Sequence, residues 1–123
     1  MVAKEGSKPS DEFMTFYEKF HSDSTYQMAH ITWPLQGVTD EKTDSVSVRK
    51  VLKSWEPKDW LIHHTMDYEH STEFARTFQV IGDVMVIEVI RAKALNFGQE
   101  RRFYKNENNE WELIYYADLQ EFQ

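Results

Sequence analysis

The sequence predicts an α+β domain in which a curved antiparallel sheet of about six strands wraps around N-terminal helices. Three observations carry that prediction. From Phe74 to Leu119, strand-like segments of alternating apolar and polar residues are joined by compact turns. A short amphipathic helix at Phe13–Phe20 precedes them, and helical and extended patterns are segregated along the chain, not interleaved as in a parallel α/β fold. A sheet curved around a helix encloses a cavity, which is where a ligand would sit.

The first helix opens at Ser10-Asp11-Glu12, where a side-chain oxygen can accept free backbone N–H groups and the acids suit the positive end of the dipole. Phe13, Phe16, Tyr17 and Phe20 then share one face, which has to be covered. His21-Ser22-Asp23 breaks the pattern, and Asp23 caps a second short helix through Tyr26 and Met28. His30–Gln36 reads as a strand with Ile31, Trp33 and Leu35 on one face; Pro34 predicts an edge position or a bulge. Gly37–Ser45 is polar and reads as a loop, after which Val46, Val48, Val51 and Leu52 resume extended structure. Pro57 opens a third short helix with Trp60, Leu61 and His64 turned inward, although Leu61–Met66 also fits a strand.

A two-residue turn at Gly82-Asp83 would pair Ile81 with Val84, Gln79 with Val86 and Thr77 with Glu88. Both faces of that hairpin are largely apolar, so the helices should cover one and a second subunit the other, giving a homodimer through the sheet face. Asn106–Glu110 makes the last turn, between Arg102–Lys105 and Trp111–Leu119. In that final strand Trp111, Leu113, Tyr115, Ala117 and Leu119 are expected on one face.

With 123 residues the chain fits one domain, placed at 10–123 behind a flexible polar leader at 1–9. The leader reads either as a native cytoplasmic start or as what is left behind a trimmed export signal, which would place the protein in the periplasm or cell envelope. Cysteine is absent, which excludes disulfides and thiolate chemistry. A net charge of −7 and dispersed basic residues argue against nucleic acid, and no apolar run is long enough for a membrane span.

Phe16-Tyr17-Glu18-Lys19-Phe20-His21-Ser22-Asp23, Tyr26-Gln27 and Ile31-Thr32-Trp33-Pro34-Leu35, with Trp55, Trp60, Phe103-Tyr104-Lys105 and Trp111-Glu112-Leu113, resemble a family of domains of unknown function found mainly in Bacteroidetes, often as secreted proteins or lipoproteins. That family is similar to the wider nuclear-transport-factor-two-like, or cystatin-like, superfamily of cone-shaped domains. The resemblance runs from Phe13 to Phe122 and implies the cone-shaped fold. The superfamily includes isomerases, dehydratases and non-catalytic binding domains, so it implies no single activity. Its catalytic members place an Asp or His inside the cone, and no such motif aligns here.

Candidate site residues follow. Trp33, Trp55 and Trp60 offer an aromatic wall for a flat or sugar ligand, against the alternative of core packing. Tyr115, with Tyr116 and Asp118, stands near the sheet end where a pocket would open. Glu88 lies within Val84–Ile90, an apolar setting that raises a carboxylate's pKa and suits acid–base work; the bland reading is a partner among Arg76, Arg101 and Thr77. Gln27 is read as a partner for a loop backbone. His63-His64-Thr65-Met66-Asp67-Tyr68-Glu69-His70 is the densest set of potential ligands but lacks a compact metal-binding spacing.

No catalytic residue, metal or cofactor is assigned. The first functional reading is a non-catalytic domain binding a small molecule, peptide or glycan in an aromatic pocket inside the cone. The second is a small isomerase- or hydrolase-like enzyme using Glu88 or Asp67 as base, with a His or Tyr partner. The third is a structural or protein-interaction module of an envelope assembly, with a filled cone and an exposed apolar patch.

Overall fold

The computed structural model describes residues 7–119. Met1–Gly6 of the expected leader, and residues 120–123 with Phe122, lie outside the described residues. Within the leader, the Ser7 N–H donates to the Phe78 carbonyl at 2.6 Å and Pro9 is buried.

Helix α1 spans Asp11–Ser22 and α2 spans Ser24–Ala29. Both start as the local sequence dictates. Ser10 Oγ accepts from the Phe13 N–H at 3.1 Å and Asp23 Oδ1 from the Tyr26 N–H at 3.0 Å, each satisfying a donor that no helical carbonyl can reach. The strands are β1 (Ile31–Lys42), β2 (Val48–Trp55), β3 (Phe74–Ile81), β4 (Met85–Ala92), β5 (Gly98–Lys105) and β6 (Trp111–Leu119). They form one six-stranded sheet in the order β2-β1-β6-β5-β4-β3. Among the described residues no helix is long and apolar enough to cross a membrane.

The concave face of the sheet holds the helices. Phe13, Phe16 and Phe20 are 0 %, 6 % and 0 % exposed, and burial of each contributes roughly 1.5–3 kcal/mol. The Phe13 ring meets Trp111 at 5.0 Å, Phe103 at 5.5 Å and Phe78 at 6.0 Å, all edge to face, so one helical residue ties β6, β5 and β3 together.

Four expectations are corrected. The sheet is not wholly antiparallel, because β1 runs parallel to β6. Gly37 does not begin a loop: β1 continues to Lys42, where its polar residues are paired on one side with β2 and, as far as Thr39, with β6 on the other. Of the two settings expected for Pro34, an edge or a bulge, the structure has the second: β1 is an interior strand, and Pro34 sits at the register shift between Ile31 and Gln36.

The expected third helix is a single 3-10 turn at Pro57–Asp59. Trp60 is buried after it, but Leu61 is 84 % exposed and His64 is also exposed. Finally, the β3–β4 turn contains three residues, with Gly82 at φ 58, so Ile81 pairs with Met85 and Phe78 with Glu88. That one-residue difference turns Phe78 and Val80 to the same face as Val86 and Glu88, and leaves Thr77, Gln79 and Ile81 outside with Met85, Ile87 and Val89.

Candidate functional site

Glu88 and Arg101 stand opposite each other on β4 and β5 and point into the cone. At 0 % and 3 % exposure, neither charge is tolerable alone. Arg101 Nε donates to Glu88 Oε1 at 2.6 Å, and the Tyr17 hydroxyl from α1 donates to Oε2. Arg101 Nη2 and Arg76 Nη1 each donate to the Tyr17 oxygen at 3.3 Å. Burial and the neighbouring Glu88 carboxylate push the Tyr17 pKa far up, so its proton stays in place as a donor. Of the two readings of Glu88, the geometry is that of the ion pair with Arg101.

Two histidines border this network, and their tautomers follow from their partners. Arg101 Nη1 can only donate, so His63 Nδ1, 3.1 Å away, is its acceptor and the ring proton sits on Nε2. Burial and the Arg101 charge drive the His63 pKa down to about 3. His21 is reversed: Nδ1–H donates to the Tyr17 carbonyl at 2.7 Å, and the buried Nε2 lone pair has no partner among the described residues. Burial, then Arg101, lowers the His21 pKa to about 4.

Gln27 holds His63 in position. Its Nε2 donates to the Phe20 and His63 carbonyls at 2.8 and 2.9 Å, and its Oε1 accepts from Trp60 Nε1 and the His63 N–H, both at 2.9 Å. This completely buried amide clamps the segment after the 3-10 turn onto the helices, in keeping with its reading as a partner for loop backbone.

At the rim, Trp55, Trp60, His63, Tyr116, Thr39, Lys53 and Asp118 contribute to the lining of a groove of about 360 Å³. The Trp60 ring lies 4.3 Å from His63, 5.5 Å from Tyr116 and 6.1 Å from Trp33, while Trp55 meets Tyr116 at 5.1 Å. Trp55 and Trp60 are each 8 % exposed, so they form a packed floor more than an open wall. Half-buried Trp33 supports them from behind, its Nε1 donating to the Met28 carbonyl at 3.0 Å. A second cleft of about 400 Å³, toward Leu95–Phe97, adjoins the groove through Thr39 and Asp118.

The structure brings Trp33, Trp55 and Trp60 together with Tyr116, and links Glu88 to them through Arg101 and His63. Tyr115 it places elsewhere, beneath Arg102 at 4.1 Å on the convex face. The register passes from Arg102↔Tyr115 to Phe103↔Leu113 and leaves Ile114 unpaired. That bulge reverses the alternation, so Trp111 and Leu113 point inward before it and Tyr116 after it. Arg101 is among the partners expected for Glu88, and His63 belongs to the ligand-rich 63–70 stretch; what local sequence does not mark is that Arg101 joins the two.

Of the 63–70 stretch, Asp67, Glu69 and His70 are exposed, with ligand-capable atoms within 4.8 Å of one another. Asp67 Oδ2 accepts from His70 Nδ1 at 2.6 Å, and His63 is not among them.

No family model matches the chain, and no curated protein does. Among solved structures, a nuclear-transport-factor-two-like protein from Bacteroides fragilis is similar over 93 % of this chain, with 19 % identity and a TM-score of 0.59. This chain spans 49 % of that protein's length. A cystatin-like protein from Bacteroides caccae is similar over 93 % of this chain and 79 % of its own, with 15 % identity and a TM-score of 0.61. At these identities the likeness establishes the fold: six strands curved around N-terminal helices in the nuclear-transport-factor-two-like, cystatin-like arrangement.

Proposed function

We propose that this cone-shaped domain is a non-catalytic binding module that takes a small molecule, peptide or glycan fragment in the rim groove over Trp55, Trp60, His63 and Tyr116. The observation that carries the reading is the His63 tautomer. With Nδ1 engaged by Arg101, the ring offers Nε2–H as a donor to a groove occupant, on a floor of aromatic rings. Trp33 and Glu88 serve it indirectly, the first by packing behind Trp60 and the second by holding Arg101.

An enzyme reading has less support. Both Glu88 oxygens are engaged, and Asp67 is exposed and paired with His70.

The test is an NMR titration with oligosaccharides, short peptides and metabolite mixtures, following the indole N–H signals of Trp55 and Trp60 and the His63 ring. A binder should shift these signals, and His63→Ala should weaken it about tenfold, the loss of one directed hydrogen bond. Binding that leaves them unmoved, or that His63→Ala does not affect, overturns the assignment.

We also propose that the convex face forms a homodimer. Ile81 and Tyr104 are 45 % and 40 % exposed beside half-buried Met85, Ile87 and Val89, an apolar stripe along β4 flanked by Thr77 and Gln79 on one side and the Arg102–Glu100 pair on the other. Sedimentation should show a dimer that Ile87→Lys dissociates; a wild-type monomer at high concentration rules it out.

A further inference from the structure

The charges inside the cone do not cancel. Glu88 is matched by Arg101, yet Arg76 of β3 points inward from the neighbouring position and makes no ion pair among the described residues. Its guanidinium lies 4.8 Å from the Tyr68 ring, 4.8 Å from Phe78 and 5.4 Å from Tyr17, and one hydrogen bond to the Tyr17 hydroxyl is its only one among the described residues. Arg76 is half-buried, its cation–π contacts contribute little, and four of its five guanidinium N–H donors have no protein partner among the described residues, which leaves them for an anion entering from the open end of the cone. Glu88 makes neither a hydrogen bond nor an ion pair with Arg76 among the described residues; its oxygens are turned to Arg101 and Tyr17.

A cavity of about 170 Å³ is lined chiefly by Met66, Tyr68, Phe74, Ile90 and Phe97; Arg76 is not itself in the lining but stands against its wall. Three of these residues are neighbours of Arg76. Ile90 is its cross-strand partner, Phe74 precedes it on the same face of β3, and Tyr68 is the ring over which it lies. A space of this size holds a short chain or a single ring, well below a drug-sized ligand.

We propose that this end of the cone, separate from the rim groove, binds a short monocarboxylate, its apolar body between Phe74, Ile90 and Phe97 and its carboxylate on Arg76. A carboxylate meets a guanidinium through two parallel charge-assisted hydrogen bonds, the geometry that an amide or alcohol cannot reproduce. It would also neutralise the excess charge within the cone. The inference does not depend on the rim groove having a ligand.

The test is titration of the full chain with sodium hexanoate, and in parallel with hexanamide and hexanol, followed by NMR of the Arg76 Nε–H, the Met66 methyl and the Phe74 and Phe97 rings. Hexanoate should shift these signals and bind at least tenfold more tightly than either neutral analogue. Arg76→Gln should remove that preference, and Arg76→Lys, which keeps the charge and loses the fork, should retain part of it. Equal binding of the three probes, no shift with hexanoate, or an unchanged preference in a folded Arg76→Gln variant overturns the proposal. Should Arg76→Gln fail to fold, the comparison of hexanoate with hexanamide on the wild-type chain decides it.

Discussion

Replacing Glu88 by Gln tests whether the cone is held together by its buried ion pair. The substitution keeps volume and shape but removes the charge opposite Arg101, which is 3 % exposed and has Nε 2.6 Å from Glu88 Oε1. Arg101 cannot escape by losing its proton, so the variant carries an unmatched buried guanidinium beside a second one at Arg76. Breaking a buried pair from one side costs about 3–5 kcal/mol, a large part of the roughly 5–15 kcal/mol of a typical domain. For a domain of this size that is a fall in Tm of about 10–20 °C.

Urea unfolding and differential scanning calorimetry measure it, with the double variant Glu88→Gln/Arg101→Met as the second arm. Removing both charges should recover much of the loss, because an apolar side chain of similar length needs no partner. A Glu88→Gln variant within about 1 kcal/mol of wild type would show that water reaches the pair and that the desolvation argument is wrong.

Acid should destabilise the fold before the carboxylates titrate. In the folded state the His21 and His63 pKa values lie at about 4 and about 3, below 6.5 for a free histidine, so the unfolded chain binds more protons. Stability is therefore complete above pH ~6.5 and drains away as the pH falls toward 4, with His21 alone contributing on the order of 3 kcal/mol. Urea midpoints at pH 7 and pH 4.5 measure the loss, and His21→Gln should remove about half of it, His63 supplying the rest; a pH-independent midpoint contradicts the burial argument.

Gly37→Ala and Gly82→Ala should both destabilise, for different reasons. A Cβ at Gly37 would overlap the Tyr116 carbonyl and approach the Trp55 ring to 2.9 Å, costing about 3 kcal/mol. At Gly82 there is open space but a φ of 58°, costing about 1 kcal/mol. Ser10→Ala removes the α1 cap and should lower thermal stability by about 1 kcal/mol, read by urea unfolding.

Much of the helical part of this protein was legible in the chain. Ser10 and Asp23 cap donors only three residues away, and the spacing of Phe13, Phe16, Tyr17 and Phe20 makes a face whatever lies opposite. The late strands were legible for the same reason, and Glu88 within an apolar run announced a buried acid in need of a partner. Arg101 was one of three candidates for that role, and register alone selected it.

The rim groove was legible only in part. Trp55 and Trp60 were identified and Tyr115 was named with Tyr116 and Asp118, but only the latter two line the groove, because nothing local marks Ile114 as a bulge. The strand beyond Gly37 read as loop because its polar residues are extended only by virtue of β2, reached through a reverse turn, and β6, some eighty residues away. The turn at Gly82 could hold two residues or three until both strands had a core to face. Local sequence thus determined the two N-terminal helices and the late strands, and that an acid would be buried. Tertiary structure decided which side of each strand faces the core, because alternation of side chains sets a period of two, whereas its phase depends on pairing with distant strands.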